Sequence, residues 1–175
     1  WYPSANKSAH VSQTARLARH RGICVSLEKE TIVNNSQPFS YGKTVPDVLQ
    51  ALGQVHAAVD THGLDRTIHH LVQLRASQIN GCAFCIKMHL REAREDGETE
   101  ARLDRVIVWE HVSDFTAREK AALAWTETLT TIEPRADYGS LRAELREHFS
   151  DEEVGALTAS IAMINLWNRI QISAH

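Results

Sequence analysis

Several things are scarce in this chain. Only three cysteines occur in 175 residues, Cys24, Cys82 and Cys85, too few and too unevenly spaced for the disulfide framework of a small secreted domain. That scarcity fits a reducing compartment, so a cytoplasmic location is expected. The longest apolar run, ALTASIAMINLW near the C-terminus, is interrupted by Thr, Ser and Asn and falls short of the roughly 18 residues that suggest a membrane span. Neither sign of charge dominates. Nineteen basic residues stand against 22 acidic ones, a net charge of −3, which leaves no broad positive field to bind nucleic acid through its phosphates. Neither nucleic acid nor membrane is expected as a partner. Alternation of period two is also absent, which argues against half-buried strands and for an all-α fold.

A compact chain of this length buries about two thirds of the surface its unfolded form exposes. It needs no metal or disulfide to fold, so a cysteine pair calls for a chemical explanation. Residues 1–27 contain Lys7, Arg16, Arg19 and Arg21, no Asp or Glu and several serines, a composition resembling an organellar transit segment. Residues 1–38 are read as an extension of uncertain origin and residues 39–175 as one domain, with the loop-forming NNSQPFSYGKTVP at the boundary. Cys24 lies in the extension and is read as incidental.

From Pro46 onward apolar residues recur at helical spacing. PDVLQALGQVHAAVDTHG aligns Val48, Leu52, Val55 and Val59 behind a proline suited to the first turn, and Gly63 ends it. LDRTIHHLVQLRASQ places Leu64, Ile68, Leu71 and Leu74 in a stripe on one side, and NGC breaks the chain. A helix is expected from about Cys82 to Asp96, stopped by Gly97, with Thr99 capping a further helix over TEARLDRVIVWEHV. Thr116 with Glu119, and Ser150 with Glu153, form capping boxes, and YGSLRAELREHF makes a shorter helix between them. The expected fold is a single all-α domain of six or seven helices. The last helix, about 151–173, carries Ile161, Ala162, Met163, Ile164, Leu166 and Trp167, apolar all round its axis. A subunit interface would cover it, so a homo-oligomer is expected; a tightly wrapped monomer core is the alternative.

The stretch SQINGCAFCIKMHLREAR brings chemistry into view. Cys82 and Cys85 are three apart at a helix start, where unpaired N–H groups and the macrodipole favour thiolate over thiol. His89 lies four residues beyond Cys85 and seven beyond Cys82, so all three side chains can share a helix face. His89 can then take a proton, most directly from Cys85. A C-x-x-C pair at this position can also close a disulfide with little backbone movement. Two other readings remain open. His89 with His69 or His70 could complete a two-Cys, two-His zinc set, although the spacing matches no common finger. Alternatively, both cysteines are small core residues and His89 a satisfied core histidine. Haem attachment fails because Ile86, not histidine, follows the second cysteine.

LVQLRASQINGCAFCIKMH resembles the signature of the alkylhydroperoxidase D-like branch of the carboxymuconolactone decarboxylase family. The similarity continues through FTAREKAALAWTETLT and HFSDEEVGALTASIAMINLWNRI, from about residue 44 to the C-terminus. The resemblance implies an all-helical fold built around a helical hairpin, assembled as a trimer or hexamer. It also implies reduction of hydroperoxides, with Cys85 as the attacking (peroxidatic) cysteine, Cys82 resolving it as a disulfide, and His89 in a proton relay. A thiol or lipoyl-bearing protein would then act as reductant, and no cofactor or metal is expected. Family members often carry glutamate twelve residues before the first cysteine, where this chain has His70. Histidine can relay protons near neutral pH, but it cannot supply the fixed negative charge that would hold His89 protonated. Glu110, His111, Glu119 and Glu127 are further candidates to support the site, while Trp109, Trp125 and Trp167 are read as packing. The leading expectation is a peroxidase. The alternatives are a thiol-disulfide oxidoreductase or redox sensor with little peroxide turnover, and a non-enzymatic helical oligomer with structural or metal-binding thiols.

Overall fold

A computed structural model describes residues 37–174; Cys24 and the basic segment lie outside the described residues. Within them every regular element is a helix: α1 (Tyr41–Thr44), α2 (Pro46–Asp60), α3 (Arg66–Asn80), α4 (Ala83–Glu95), α5 (Glu100–Leu103), α6 (Ala117–Thr130), α7 (Tyr138–Arg146) and α8 (Asp151–Ser173). A 3-10 segment, Val106–His111, joins α5 to α6. None of these helices is long and apolar enough to cross a membrane. The count exceeds the expected six or seven because α1 and α5 are single turns and the 3-10 segment stands apart.

That segment corrects one expectation. Helical spacing predicts a helix over TEARLDRVIVWEHV, but the chain leaves helical geometry at Val108 (φ −122°, ψ 26°). Its buried residues Leu103, Val106 and Trp109 recur every three positions, followed by half-buried Val112 and buried Phe115. Side chains three apart line up in a 3-10 helix, whereas they drift around an α-helix. The tighter turn lines Val106 up with Trp109 on the core side.

α3 sits at the centre. The sequence suggested an apolar stripe on one side, but the helix is buried on several faces at once. Ile68 and Val72 pack among Trp125, Leu145, Phe149, Leu157 and Ile161. Leu71 and Leu74 pack among Ala93, Leu103, Val106, Trp109 and Leu123. A polar row faces α8. Gln73 Nε2 donates to Ser160 Oγ (2.8 Å), Asn168 Nδ2 to Ser77 Oγ (3.1 Å), and Asn80 Nδ2 to the side-chain oxygens of Asn165 (2.9 Å) and Asn168 (2.8 Å). Buried polar groups are costly when unpaired, so these rungs hold α8 at one register along α3.

The turn between α3 and α4 positions the cysteines. Gly81 adopts a left-handed conformation (φ 68°), which lets Cys82 N–H bond back to Ser77 O at 3.0 Å and Gly81 N–H to Gln78 O at 3.2 Å. This is the Schellman closure that only glycine adopts at low cost. Gly97 ends α4 in the same way, with Glu98 N–H bonded to Ala93 O at 2.9 Å. Thr99 caps α5, and the capping boxes at Thr116 and Ser150 both form.

Candidate active site

Cys82 is the N-cap of α4, and its Sγ accepts the N–H of Cys85 at 3.4 Å. The two residues are joined by a disulfide, with Cα atoms 5.3 Å apart, and both are buried. Cys85 opens onto a cavity of about 360 Å³, which it lines together with Met88, His89 and Glu92. These four residues fall at i, i+3, i+4 and i+7, a single face of α4. α3 contributes His69 and Gln73, α2 contributes His56, and α8 contributes Ile164, Trp167 and Gln171; Phe84 completes the wall.

His89 stands one turn beyond Cys85. Its Nδ1 lies 3.1 Å from Glu92 Oε2, while its Nε2 is buried without a partner. A carboxylate can only accept, so Nδ1 carries the hydrogen and Nε2 presents its lone pair. Burial pushes the His89 imidazole below its ordinary value; Glu92 opposes the shift, and His70 and His56 reinforce it. The ring is therefore neutral at pH 7, a base awaiting a proton.

His70 is placed differently. It is buried, with Nε2 2.5 Å from Asp96 Oδ2. Arg66 binds the same oxygen, and the bonds from His70 and Arg66 hold the Asp96 carboxyl below its usual range. His70 does not line the Cys85 cavity but two depressions nearer the end of α4. Its neighbour His69 lines the cavity and also borders one of those depressions. The carboxylate partnering His89 comes from Glu92, which sequence reasoning missed although its i+3 spacing from His89 was visible.

None of Glu110, His111, Glu119 and Glu127 lines the cavity. Glu119 is held by Arg102 and by the Thr116 N–H (2.7 Å). Glu127 accepts from Arg75 Nε (2.6 Å) and from the Trp109 indole (2.7 Å). Glu110 and His111 are exposed. Trp109 and Trp125 pack in the core. Trp167 packs on His56, with ring centroids 5.9 Å apart and its indole N–H donated to His56 Nε2, and it also forms part of the cavity wall. No group of three or more His, Cys, Asp or Glu among the described residues is arranged to hold a metal ion.

Residues 46–128 match the carboxymuconolactone decarboxylase family. The chain is 36% identical over 138 residues to the uncharacterized protein YdfG of Bacillus subtilis, covering 79% of this chain and 94% of that one. Among solved structures, a protein of unknown function from Agrobacterium tumefaciens, described as a candidate antioxidant defence protein AhpD, superposes with a TM-score of 0.74 at 38% identity. That match covers 79% of this chain and 94% of the other. An uncharacterized peroxidase-related protein from Ralstonia eutropha, described as an alkylhydroperoxidase AhpD core, matches with a TM-score of 0.64 at 25% identity, over 72% of this chain and 67% of its own. The chain belongs to the carboxymuconolactone decarboxylase family, within its alkylhydroperoxidase D-like branch.

Proposed function

We propose that this protein is a thiol-dependent peroxidase whose reacting group is Cys85. The observation that carries the reading is the shared cavity: Cys85, already paired with Cys82, lines the same space as His89, whose buried Nε2 has no hydrogen-bond partner. In the reduced protein His89 Nε2 takes the Cys85 thiol proton, and Glu92 steadies the imidazolium so formed. The thiolate attacks the terminal oxygen of a hydroperoxide, and the O–O bond breaks. Cys85 becomes a sulfenic acid, and the departing alkoxide takes the proton from His89 and leaves as an alcohol. The Cys82 thiol then attacks the Cys85 sulfur, releasing water and closing the disulfide.

The cavity walls support an organic hydroperoxide. Met88, Ile164 and Trp167 offer apolar surface to an alkyl group. With Cys82 2% and Cys85 1% exposed, a reductant has to reach into the cavity. That favours a small dithiol or a lipoyl arm over direct contact with a globular donor. An apolar groove lined by Leu129, Ile132, Ala162, Leu166 and Ile170 supports assembly through α8 into a trimer or hexamer.

The test is peroxide consumption by the full chain with a dithiol reductant. The wild type should turn over, and Cys85→Ser should fall to background. Mass spectrometry after one equivalent of peroxide should find a loss of two protons between Cys82 and Cys85. Turnover unaffected by Cys85→Ser would overturn the assignment, and disulfide exchange without peroxide turnover would make the protein a thiol-disulfide oxidoreductase.

A further inference from the structure

We infer that His69 is a second working imidazole of the cavity, a fixed hydrogen-bond donor to the oxygen that leaves when the peroxide bond breaks. The inference rests on the peroxidase reading and adds a residue to it. His69 lines the cavity with Cys85 and His89, and a short chain of hydrogen bonds favours one tautomer of its ring. Gln73 Nε2 lies 2.8 Å from Ser160 Oγ and 3.5 Å from the Ser160 carbonyl oxygen. A carbonyl only accepts, so this end of the amide is the donor. Ser160 Oγ therefore accepts from Gln73 and keeps its own proton to give, and His69 Nδ1 at 3.4 Å is in place to take that hydrogen bond. With Nδ1 accepting, the ring hydrogen of neutral His69 sits on Nε2. That nitrogen has no partner among the described residues and is not sealed in the core.

The two imidazoles thus present opposite tautomers in the cavity that Cys85 lines. His89 presents a lone pair at Nε2 because Glu92 takes its Nδ1–H. His69 presents an N–H at Nε2 because Ser160 supplies its Nδ1. Burial pushes the His69 imidazole down to about 4, with His70, His89 and His56 opposing its protonation and Asp60 favouring it. It stays neutral where a thiolate works, so it donates a hydrogen bond without surrendering the proton. A neutral imidazole in a cavity wall is an established kind of electrophile.

The chemistry divides between them. A sulfur lone pair forms the S–O bond, the O–O bond breaks heterolytically, and its electron pair stays on the inner oxygen. Sulfur is oxidised and the peroxide reduced. As negative charge grows on that oxygen, the His69 N–H stabilises it and His89 returns the proton it took from the thiol. Donors aimed at developing charge contribute the most in a water-poor site.

Two reactions of reduced Cys85 separate this role from a structural one. Oxidation by tert-butyl hydroperoxide releases an alkoxide, whereas alkylation by iodoacetamide releases iodide and needs no donor to oxygen. For His69→Leu we expect the rate constant with hydroperoxide to fall about a hundredfold, with the alkylation rate and its pH profile unchanged. The loss should shrink with a peroxyacid, whose leaving carboxylate needs little help. His69→Gln, with an amide N–H near the position of Nε2, should recover part of the rate. Ser160→Ala should lower the hydroperoxide rate in the same selective way, and it carries the test if His69→Leu does not fold. Equal falls in both reactions, or an unchanged hydroperoxide rate, would overturn the donor role. A wild type whose reduced Cys85 ignores hydroperoxide while still alkylating would overturn the peroxidase reading itself.

Discussion

A single hydrogen bond decides what His89 can do. The Glu92 carboxylate on Nδ1 turns Nε2 into an acceptor, and without it the ring could take either tautomer. Removing that charge also removes the main influence opposing the downward shift of His89. For Glu92→Gln the acid limb of the rate profile for Cys85 alkylation should therefore move to lower pH, because His89 stays unprotonated further down. The plateau should fall roughly tenfold, because a weaker base takes the thiol proton less readily. An acid limb moving upward would count against the pairing. Cys82, Cys85 and His89 were legible because they share one helix and its period. His70 enters the relay only through the resemblance, as the residue at the position where family members often carry glutamate. The side it faces depends on how α3 rotates against α4 and α8, which sequence spacing leaves open, and the adjacent His69 took the place in the cavity.

At the level of elements, the hairpin carrying the cysteines depends on its turn. Gly81 has φ 68° and open space where a side chain would begin, so Gly81→Ala should cost about 1–2 kcal/mol through backbone conformation alone. Gly53 lies in the middle of α2, and a Cβ there also meets nothing. Gly53→Ala should therefore stabilise by about 0.5–1 kcal/mol, since alanine loses less freedom in a helix. Urea unfolding of both variants checks the opposite signs. The cap residues marked the starts of α6 and α8 because capping is local chemistry. The break at Val108 was not legible, since spacing of three and spacing of three-and-four look alike over a dozen residues.

For the whole molecule, buried neutral imidazoles make stability depend on pH. His69 is lowered to about 4 and His89 is lowered as well, whereas both return to the ordinary histidine value of 6.5 on unfolding. Between those values the unfolded chain binds more protons than the folded one, so stability is fully present above about pH 6.5 and drains away as pH falls. His69 alone should account for about 2–3 kcal/mol between pH 6.5 and 4, allowing for its partial exposure. Urea midpoints at pH 7, 5.5 and 4.5 should decline in that order, and His69→Gln should flatten the decline. A flat wild-type profile over this range would show that the imidazoles are not buried neutral.

The all-α class, most helix ends, the hairpin and the cysteine-histidine face were determined by the sequence itself. Each depends on local matters: a period of 3.6, a cap, a glycine able to turn left-handed, residues one helical turn apart. Which imidazole lines the cavity, how Gln73 and Ser160 come to sit beside it, and why α8 buries Asn165 and Asn168 were decided only by the tertiary structure. Those outcomes depend on the rotation and register of helices tens of residues apart, set jointly by the two apolar clusters and the polar row between α3 and α8.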